Sequence, residues 1–128
     1  MGEKKSDGQI RSEIQAMSNE VSSLLSSNNA SRAIGVAIRD PPFETKDSSL
    51  KDEAYDVVSR VLEAISEAQI KDIVTGLELE DCDVLMKYVY REMDNQRNCS
   101  AMLKWHAFLV DRAGIGSVVR AMTDRKTV

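Results

Sequence analysis

The chain has 128 residues, of which 42% are apolar and 30% charged, and it contains two prolines; this is the size and composition of a single ordered domain. A formal net charge of -4 argues against nucleic acid as a partner of the whole chain. Runs of β-branched or aromatic residues are few, so the composition favours helix over strand. We predict an all-α fold around one hydrophobic core.

The first predicted helix is amphipathic and has a narrow apolar stripe. Its apolar residues alternate steps of four and three and are Ile10, Ile14, Met17, Val21 and Leu24. A stripe this thin suits a helix that lies along a partner, although the same pattern fits a helix packed on the chain's own core. We predict that residues 1–28 form an N-terminal arm or amphipathic helix and that residues 29–128 form the helical core domain.

Two further helices are predicted on either side of a proline pair. Apolar residues at helical spacing over residues 30–38 indicate the second helix, and Pro41 and Pro42 end it because proline lacks a backbone donor. An extended connector should then lead to the third helix. Ser49, with Asp52 three positions later, resembles a capping box and predicts the start of a helix with a broad apolar face.

Three more helices are predicted before the end of the chain. A change of phase after Glu67 indicates a short fourth helix that ends near Gly76, and a new stripe over residues 82–93 indicates a fifth. Ser100 is the predicted N-cap of a sixth helix, and Gly114 is its predicted left-handed stop. Because the connections are short and no fixed repeat occurs, we expect an irregular antiparallel helical array or α-α superhelix.

A seventh helix is predicted almost to the end of the chain, where residues are commonly polar and frayed. Ile115, Val118, Val119 and Met122 recur at helical spacing, and we predict that they complete the chain's own core. The basic residues of the same segment are predicted to contact partners instead. They are Arg120, Arg125 and Lys126.

Charge is distributed unevenly along the sequence. Residues 40–83 contain thirteen acidic and four basic side chains, whereas residues 101–128 contain five basic and two acidic ones. An acidic flank and a basic end could orient the protein against complementary protein surfaces, although solvated helix faces explain the same pattern.

Residue types that carry chemistry are sparse. One histidine and two cysteines, Cys82 and Cys99, cannot supply four zinc ligands, and His106 lies on an apolar stripe, where a core or interface role is expected. The Gly-x-Gly of residues 114–116 lacks the strand and third glycine of a dinucleotide loop, which favours helix punctuation. We predict no catalytic, cofactor-binding or metal site, and keep a small cysteine- or phosphate-dependent enzyme as an alternative.

The cellular compartment is predicted from the same residues. The first residues are polar and no apolar segment follows them, so no secretory signal is expected. With two cysteines in the chain, we predict an intracellular protein with reduced thiols.

Several short motifs follow one another along residues 29–128. They are Pro41, Pro42, Thr45, Lys46, Lys51, Asp52, Leu85 to Tyr90, Ser100 to Leu103, Trp105, His106, Gly116, Ser117, Val119, Arg120 and Arg125 to Val128. In this order they resemble the smallest subunit of the actin-related protein 2/3 complex. One motif alone would be weak, but the ordered set is specific.

The resemblance implies an all-helical, non-enzymatic subunit that binds no cofactor and works in the cytoplasm at the actin cytoskeleton. Its implied partners are the β-propeller subunit of the complex, neighbouring small subunits and, through an N-terminal arm, an actin-related protein. The assembly nucleates branched actin filaments, so contact with the filament would be indirect. Neither nucleic acid binding nor membrane insertion is implied.

The beginning of the chain departs from this family. The segment before about Val21 matches no family motif and looks shorter than the family's acidic arm. As a hypothesis from the thin stripe, Ile10, Ile14, Met17 and Val21 contact the actin-related protein. The alternative from another class is a free-standing helical adaptor that binds peptide helices in a groove.

Overall fold

A computed structural model describes residues 6–39, 41–43, 45, 47–123 and 128. Within these ranges the backbone forms seven α-helices and no strand, which confirms the all-α prediction. The helices are α1 (Asp7–Ser26), α2 (Ala30–Ala37), α3 (Ser48–Ala64), α4 (Glu67–Thr75), α5 (Leu79–Asp94), α6 (Cys99–Ala113) and α7 (Gly116–Thr123). The predicted contacts Arg125 and Lys126, and the motif residue Lys46, lie outside the described residues.

The helices pack as an irregular array with two groups. In the first group, α1, α2 and α3 pack on one another. In the second, α5 packs against α6 and α7, and α6 also contacts α4 and α7. The α3 and α5 helices contact each other and so join the two groups. The predicted boundary after residue 28 falls in the turn between α1 and α2, where Asn28 has a φ of 63°; the division into arm and core stays a prediction.

Two clusters of buried side chains hold the array together. The main cluster takes residues from α1 to α6, and Trp105 and Tyr88 are its largest fully buried side chains. The smaller cluster lies between the first half of α1 and the first half of α3. Its buried members are Ile10, Ile14, Leu50 and Ala54. Met17 is half-buried and packs against both clusters.

The narrow stripe of α1 therefore packs on the chain itself. Ile10 and Ile14 are 7% and 8% exposed, and Val21 is fully buried. Of the two interpretations of this stripe, packing on the chain's own core is confirmed. Contact with a partner through the same residues stays a prediction. Replacing the stripe with serine would remove core side chains, so loss of binding in such a variant would report loss of stability as well.

The N-caps of α3 and α6 differ from those expected. The N-cap of α3 is Asp47, not Ser49: the Asp47 carboxylate accepts from the Ser49 backbone N–H at 3.0 Å and from Ser49 Oγ at 2.6 Å. The hydrogen bond from the Ser49 side chain is the main cause that lowers the pKa of Asp47. The N-cap of α6 is Asn98, not Ser100, and it has a φ of 49°. The α6 helix thus begins earlier than predicted.

Glu92 on α5 is a fully buried carboxylate with several donors around it. Tyr55 Oη donates to its Oε1 at 2.5 Å, and Ser59 Oγ lies 3.0 and 3.1 Å from the two carboxylate oxygens. Asn98 Nδ2 donates to Oε2 at 3.3 Å. Burial first, and then the hydrogen bond to Glu92, raises the pKa of Tyr55. The cluster links α3, α5 and the N-cap of α6.

Replacing Tyr55 with Phe should lower the free energy of unfolding by about 1 to 3 kcal/mol, because a buried acceptor loses a donor. Urea unfolding monitored by circular dichroism measures the change.

Tyr88→Phe is the matched control. Tyr88 is fully buried, and its hydroxyl has no hydrogen-bond partner in the described part of the chain. Removing that hydroxyl should leave stability unchanged or raise it, since a desolvated polar group is lost. Equal destabilisation by the two substitutions would contradict the assigned role of the Tyr55 to Glu92 hydrogen bond.

Candidate partner-binding surface

Two glycines separate α6 from α7: Gly114 ends the first helix and Gly116 begins the second. Gly114 has φ 85° and ψ 168°, so its φ is positive as predicted, but its ψ is not that of a left-handed helix. Gly116 begins α7, and a Cβ there would lie 3.0 Å from Arg120 Nη1. The Arg120 side chain therefore covers this helix start, which agrees with helix punctuation as the interpretation of the Gly-x-Gly.

An ion pair ties α7 to the first turns of α5. Arg120 Nε and Nη2 donate to the two carboxylate oxygens of Asp83 at 2.8 and 2.9 Å. This bidentate hydrogen bonding raises the pKa of Arg120. Arg120 was predicted to contact a partner, but here its guanidinium is paired within the chain. About half of its side chain stays exposed, and its contact with a partner stays a prediction.

The apolar residues of α7 point mainly to solvent. Ile115, Val119 and Met122 are 67%, 54% and 70% exposed. The prediction that they complete the chain's own core is wrong for these three. Val118 is half-buried and packs against the main cluster, as predicted.

Small side chains explain which way α7 faces. Ser117 is fully buried, and Ala121 is half-buried against the main cluster. Ser117 Oγ also donates to the Gly114 carbonyl at 2.8 Å, so its polar group is satisfied. Small residues on one side let α7 approach α5 closely. The spacing of apolar residues identified one side of α7, and that side was predicted to be buried. The side that is buried carries Ser117 and Ala121 instead.

We call the exposed side chains of Ile115, Val119 and Met122 the α7 face. They recur at intervals of four and three residues, so they lie along one side of the helix. Leu79, also largely exposed, lies one turn before Asp83 on α5, and Asp83 holds Arg120. One further exposed apolar side chain therefore lies on α5, one helical turn from the residue that pairs with Arg120.

Of the side chains that could carry chemistry, Cys82 is buried and His106 is paired with a neighbour, whereas Cys99 is exposed. Burial raises the pKa of the Cys82 thiol, which disfavours the reactive thiolate. His106 is half-buried, and its Nε2 lies 2.8 Å from Tyr90 Oη, which fits the expected core or interface role. Cys99 is exposed at the first position of α6. Among the described residues, no group of three or more His, Cys, Asp or Glu side chains could hold a metal ion.

One open groove of about 580 Å³ lies where α1 and α2 meet the turn between α4 and α5. Its lining combines charged side chains with a serine, two glycines and three apolar residues, Leu24, Val36 and Leu77. The charged residues are Glu20, Arg32, Arg39 and Asp81. Small-molecule sites are lined predominantly by apolar side chains, whereas charged and polar residues outnumber apolar ones in this groove. In the described part of the chain, no helix is long and apolar enough to cross a membrane.

Comparison with known proteins places this helical array in a family. The model of the family described as ARP2/3 complex 16 kDa subunit (p16-Arc) matches residues 2–128. The chain belongs to this family. The match includes the α1 segment for which the sequence motifs gave no resemblance.

Individual relatives support the same assignment. The chain is similar to actin-related protein 2/3 complex subunit 5 of Dictyostelium discoideum, at 32% identity over 97% of this chain and 90% of that protein. It is similar to subunit 5-C of Xenopus laevis at 36% identity, over 85% of this chain and 74% of that protein. The human subunit 5-like protein is 35% identical over 85% of this chain and 72% of its own length. The resemblance found from the motifs is thus confirmed.

Removing the ion pair should loosen α7 with little effect on the rest of the fold. Asp83→Asn or Arg120→Gln should raise the hydrogen exchange of the α7 amides several-fold, because surface ion pairs orient elements more than they stabilise whole domains. Exchange measured by mass spectrometry or NMR, alongside the urea midpoint, tests this.

The control is Lys104→Gln, which breaks a different exposed pair: Lys104 Nζ lies 2.6 Å from Glu67 and ties α6 to α4. It should leave α7 exchange unchanged. If Lys104→Gln and Arg120→Gln loosened α7 equally, the Asp83 pair would not be what holds this helix.

Proposed function

We propose that the chain is a non-catalytic structural subunit of the actin-related protein 2/3 complex. In this role it supports nucleation and branching of actin filaments by holding other subunits in the assembly. Membership of the 16 kDa subunit family and the similarity to subunit 5 proteins of the complex support the proposal. The α7 face is the structural observation on which it depends.

The α7 face has the features of an interface core. Val119 and Met122 on the eight-residue helix α7, and Ile115 directly before it, are each more than half exposed. A contiguous apolar patch of this kind marks a contact site in many proteins, particularly where polar groups border it. The Arg120 to Asp83 ion pair provides that polar border. A partner subunit would cover the apolar side chains and leave the ion pair at the rim.

The proposed partners of this chain are those that its resemblance to the family implies. They are the β-propeller subunit, the neighbouring small subunits and an actin-related protein, and the filament is contacted indirectly. Localisation in the cytoplasm at the actin cytoskeleton belongs to the same proposal. The absence of catalysis is supported by the burial of Cys82 and by the pairing of His106 with Tyr90. The second alternative, a free-standing adaptor, would bind short peptide helices without a stable assembly.

The residues proposed to contact an actin-related protein through the N-terminal arm are mostly buried in this structure. Ile10, Ile14 and Val21 are buried in the chain's own clusters, and Met17 is half-buried. An actin-related protein could reach Ile10 and Ile14 if the first half of α1 left α3.

Affinity purification of the tagged chain, followed by mass spectrometry of the eluate, tests the assembly role directly. We expect recovery of a stable assembly that nucleates actin and contains the actin-related proteins. Recovery of short-lived peptide partners alone would contradict the proposal and favour the adaptor.

Changing Ile115, Val119 and Met122 to Ser should reduce incorporation into the complex at least tenfold. Because the three side chains are exposed, each change should alter the free energy of unfolding by no more than about 0.5 kcal/mol. Quantitative co-purification and thermal unfolding of the isolated chain measure the two effects.

Leu103→Ser is the matched control, since Leu103 is an equally exposed apolar residue on α6. It should leave incorporation unchanged. Full incorporation of the α7 triple variant would show that this face is not the contact.

A further inference from the structure

Two arginines at one groove lack a partner within the described part of the chain. They are Arg32 on α2 and Arg39, which follows the C-cap of α2, and both line the groove between α1, α2 and the α4–α5 turn. Every other arginine that the structure describes bonds to, pairs with or stacks on a neighbour; these are Arg11, Arg60, Arg91, Arg97, Arg112 and Arg120. The two guanidinium groups with open donors therefore occur together.

Both guanidinium groups belong to the same wall of the groove. Arg32 and Arg39 are seven residues apart, and the C-cap Ile38 between them has a φ of -98° and a ψ of 0°. Two turns of a helix separate such residues by roughly 10 Å along its axis and return them to nearly the same side. Two carboxylates with this spacing would each meet one guanidinium, which binds a carboxylate as a bidentate fork.

The acidic groups of the groove come from other helices. Glu20 belongs to α1 and Asp81 to α5, and among the described residues no ion pair joins either of them to Arg32 or Arg39. A polyanion such as nucleic acid would be repelled by these two carboxylates. The groove instead suits a ligand whose acidic groups face α2 alone, as the side chains of an ordered peptide segment do.

Gly35 supplies an independent observation at the same wall. It lies within α2 between the two arginines, and a Cβ there would meet no atom within 4 Å. Its φ is not positive, so neither packing nor backbone conformation requires glycine, although glycine destabilises a helix interior relative to alanine. Gly35 leaves the backbone of α2 bare where it lines the groove. A group from outside the chain can therefore approach α2 closely.

We propose that this groove, which we call the α2 groove, binds an acidic segment of a partner protein. Two carboxylates of the segment pair with Arg32 and Arg39. An apolar side chain between them crosses Gly35 toward Leu24 and Leu77, which are half-buried in the groove. The α2 groove shares no residue with the α7 face, so this inference goes beyond the proposed function.

Charge in the α2 groove selects the ligand more than it holds it. Exposed ion pairs each contribute little and are screened by salt, whereas their geometry sets the orientation and the choice of partner. The apolar contact over Gly35 supplies further affinity, and it depends on close approach. Loss of the arginines and filling of the space above Gly35 should therefore each weaken binding, for different reasons.

NMR titration of the full chain with a designed peptide tests the site. The probe is a helical peptide of alanine and glutamine with two glutamates seven residues apart and a leucine four residues after the first glutamate. We expect saturable shift changes at the amides of Gly35 and Gly76 and at the Nε–H groups of Arg32 and Arg39. A peptide with glutamine in place of both glutamates should bind about tenfold more weakly, and added salt should reduce that difference.

Variants of the chain separate charge from shape and from unfolding. Arg32→Gln together with Arg39→Gln should weaken binding of the glutamate peptide about tenfold. The control, Lys71→Gln together with Lys104→Gln, removes the same charge from α4 and α6 outside the groove and should change the affinity less than about twofold. Gly35→Leu should abolish binding while its thermal midpoint stays equal to or above that of the unchanged chain, because leucine favours helix over glycine.

Photo-crosslinking in cells tests the chemistry of the natural ligand. A photoreactive phenylalanine in place of Ser31, which lines the groove, should capture a protein segment with two acidic residues about two helical turns apart. Capture of a neutral or basic segment, or of none, would overturn the proposal. Equal binding of the glutamate and glutamine peptides, shift changes outside the groove, or equal loss in the arginine and lysine variants would do the same.

Discussion

A single buried carboxylate sets how the two groups of helices meet. Glu92 is fully buried, so its oxygens need donors from the protein, and Tyr55, Ser59 and Asn98 supply them. The guanidinium of Arg91 lies 4.3 Å from the centre of the Tyr55 ring, which brings positive charge near the cluster. A buried polar group without hydrogen-bond partners is costly. The positions of α3, α5 and the start of α6 are therefore restricted to those that keep Tyr55, Ser59 and Asn98 within reach of Glu92.

The same cluster explains why the cap of α6 could not be found by local reasoning. Ser100 has the right side chain and position for an N-cap, but the helix begins at Cys99 because Asn98 is held at φ 49° by hydrogen bonds to Glu92 and Glu63. Those partners lie six and 35 residues away in the sequence. Helical spacing predicted all seven helices correctly, since it depends on neighbours along the chain. A cap that is positioned by side chains distant in the sequence leaves no such local pattern.

The outer two helices show a second limit of sequence reasoning. Spacing left open whether the stripe of α1 faces a partner or the chain's own core, and it predicted α7 as a helix turned inward. In the fold, Ile10 and Ile14 find Leu50 on α3, whereas the α7 helix turns Ser117 inward and leaves Met122 outside. Periodicity shows that a helix has an apolar side, but the choice between the chain's own core and a partner depends on which complementary surface lies within reach. For a subunit of an assembly both choices are available.

The α7 face alone is too small to hold the chain in a complex. Covering the exposed parts of Ile115, Val119 and Met122 would contribute roughly 3 to 6 kcal/mol at ordinary transfer values. Association itself opposes binding by an estimated 4 to 15 kcal/mol in lost translational and rotational freedom. A stable subunit therefore needs further contact surface. Leu79, one turn before Asp83 on α5, adds one exposed apolar side chain.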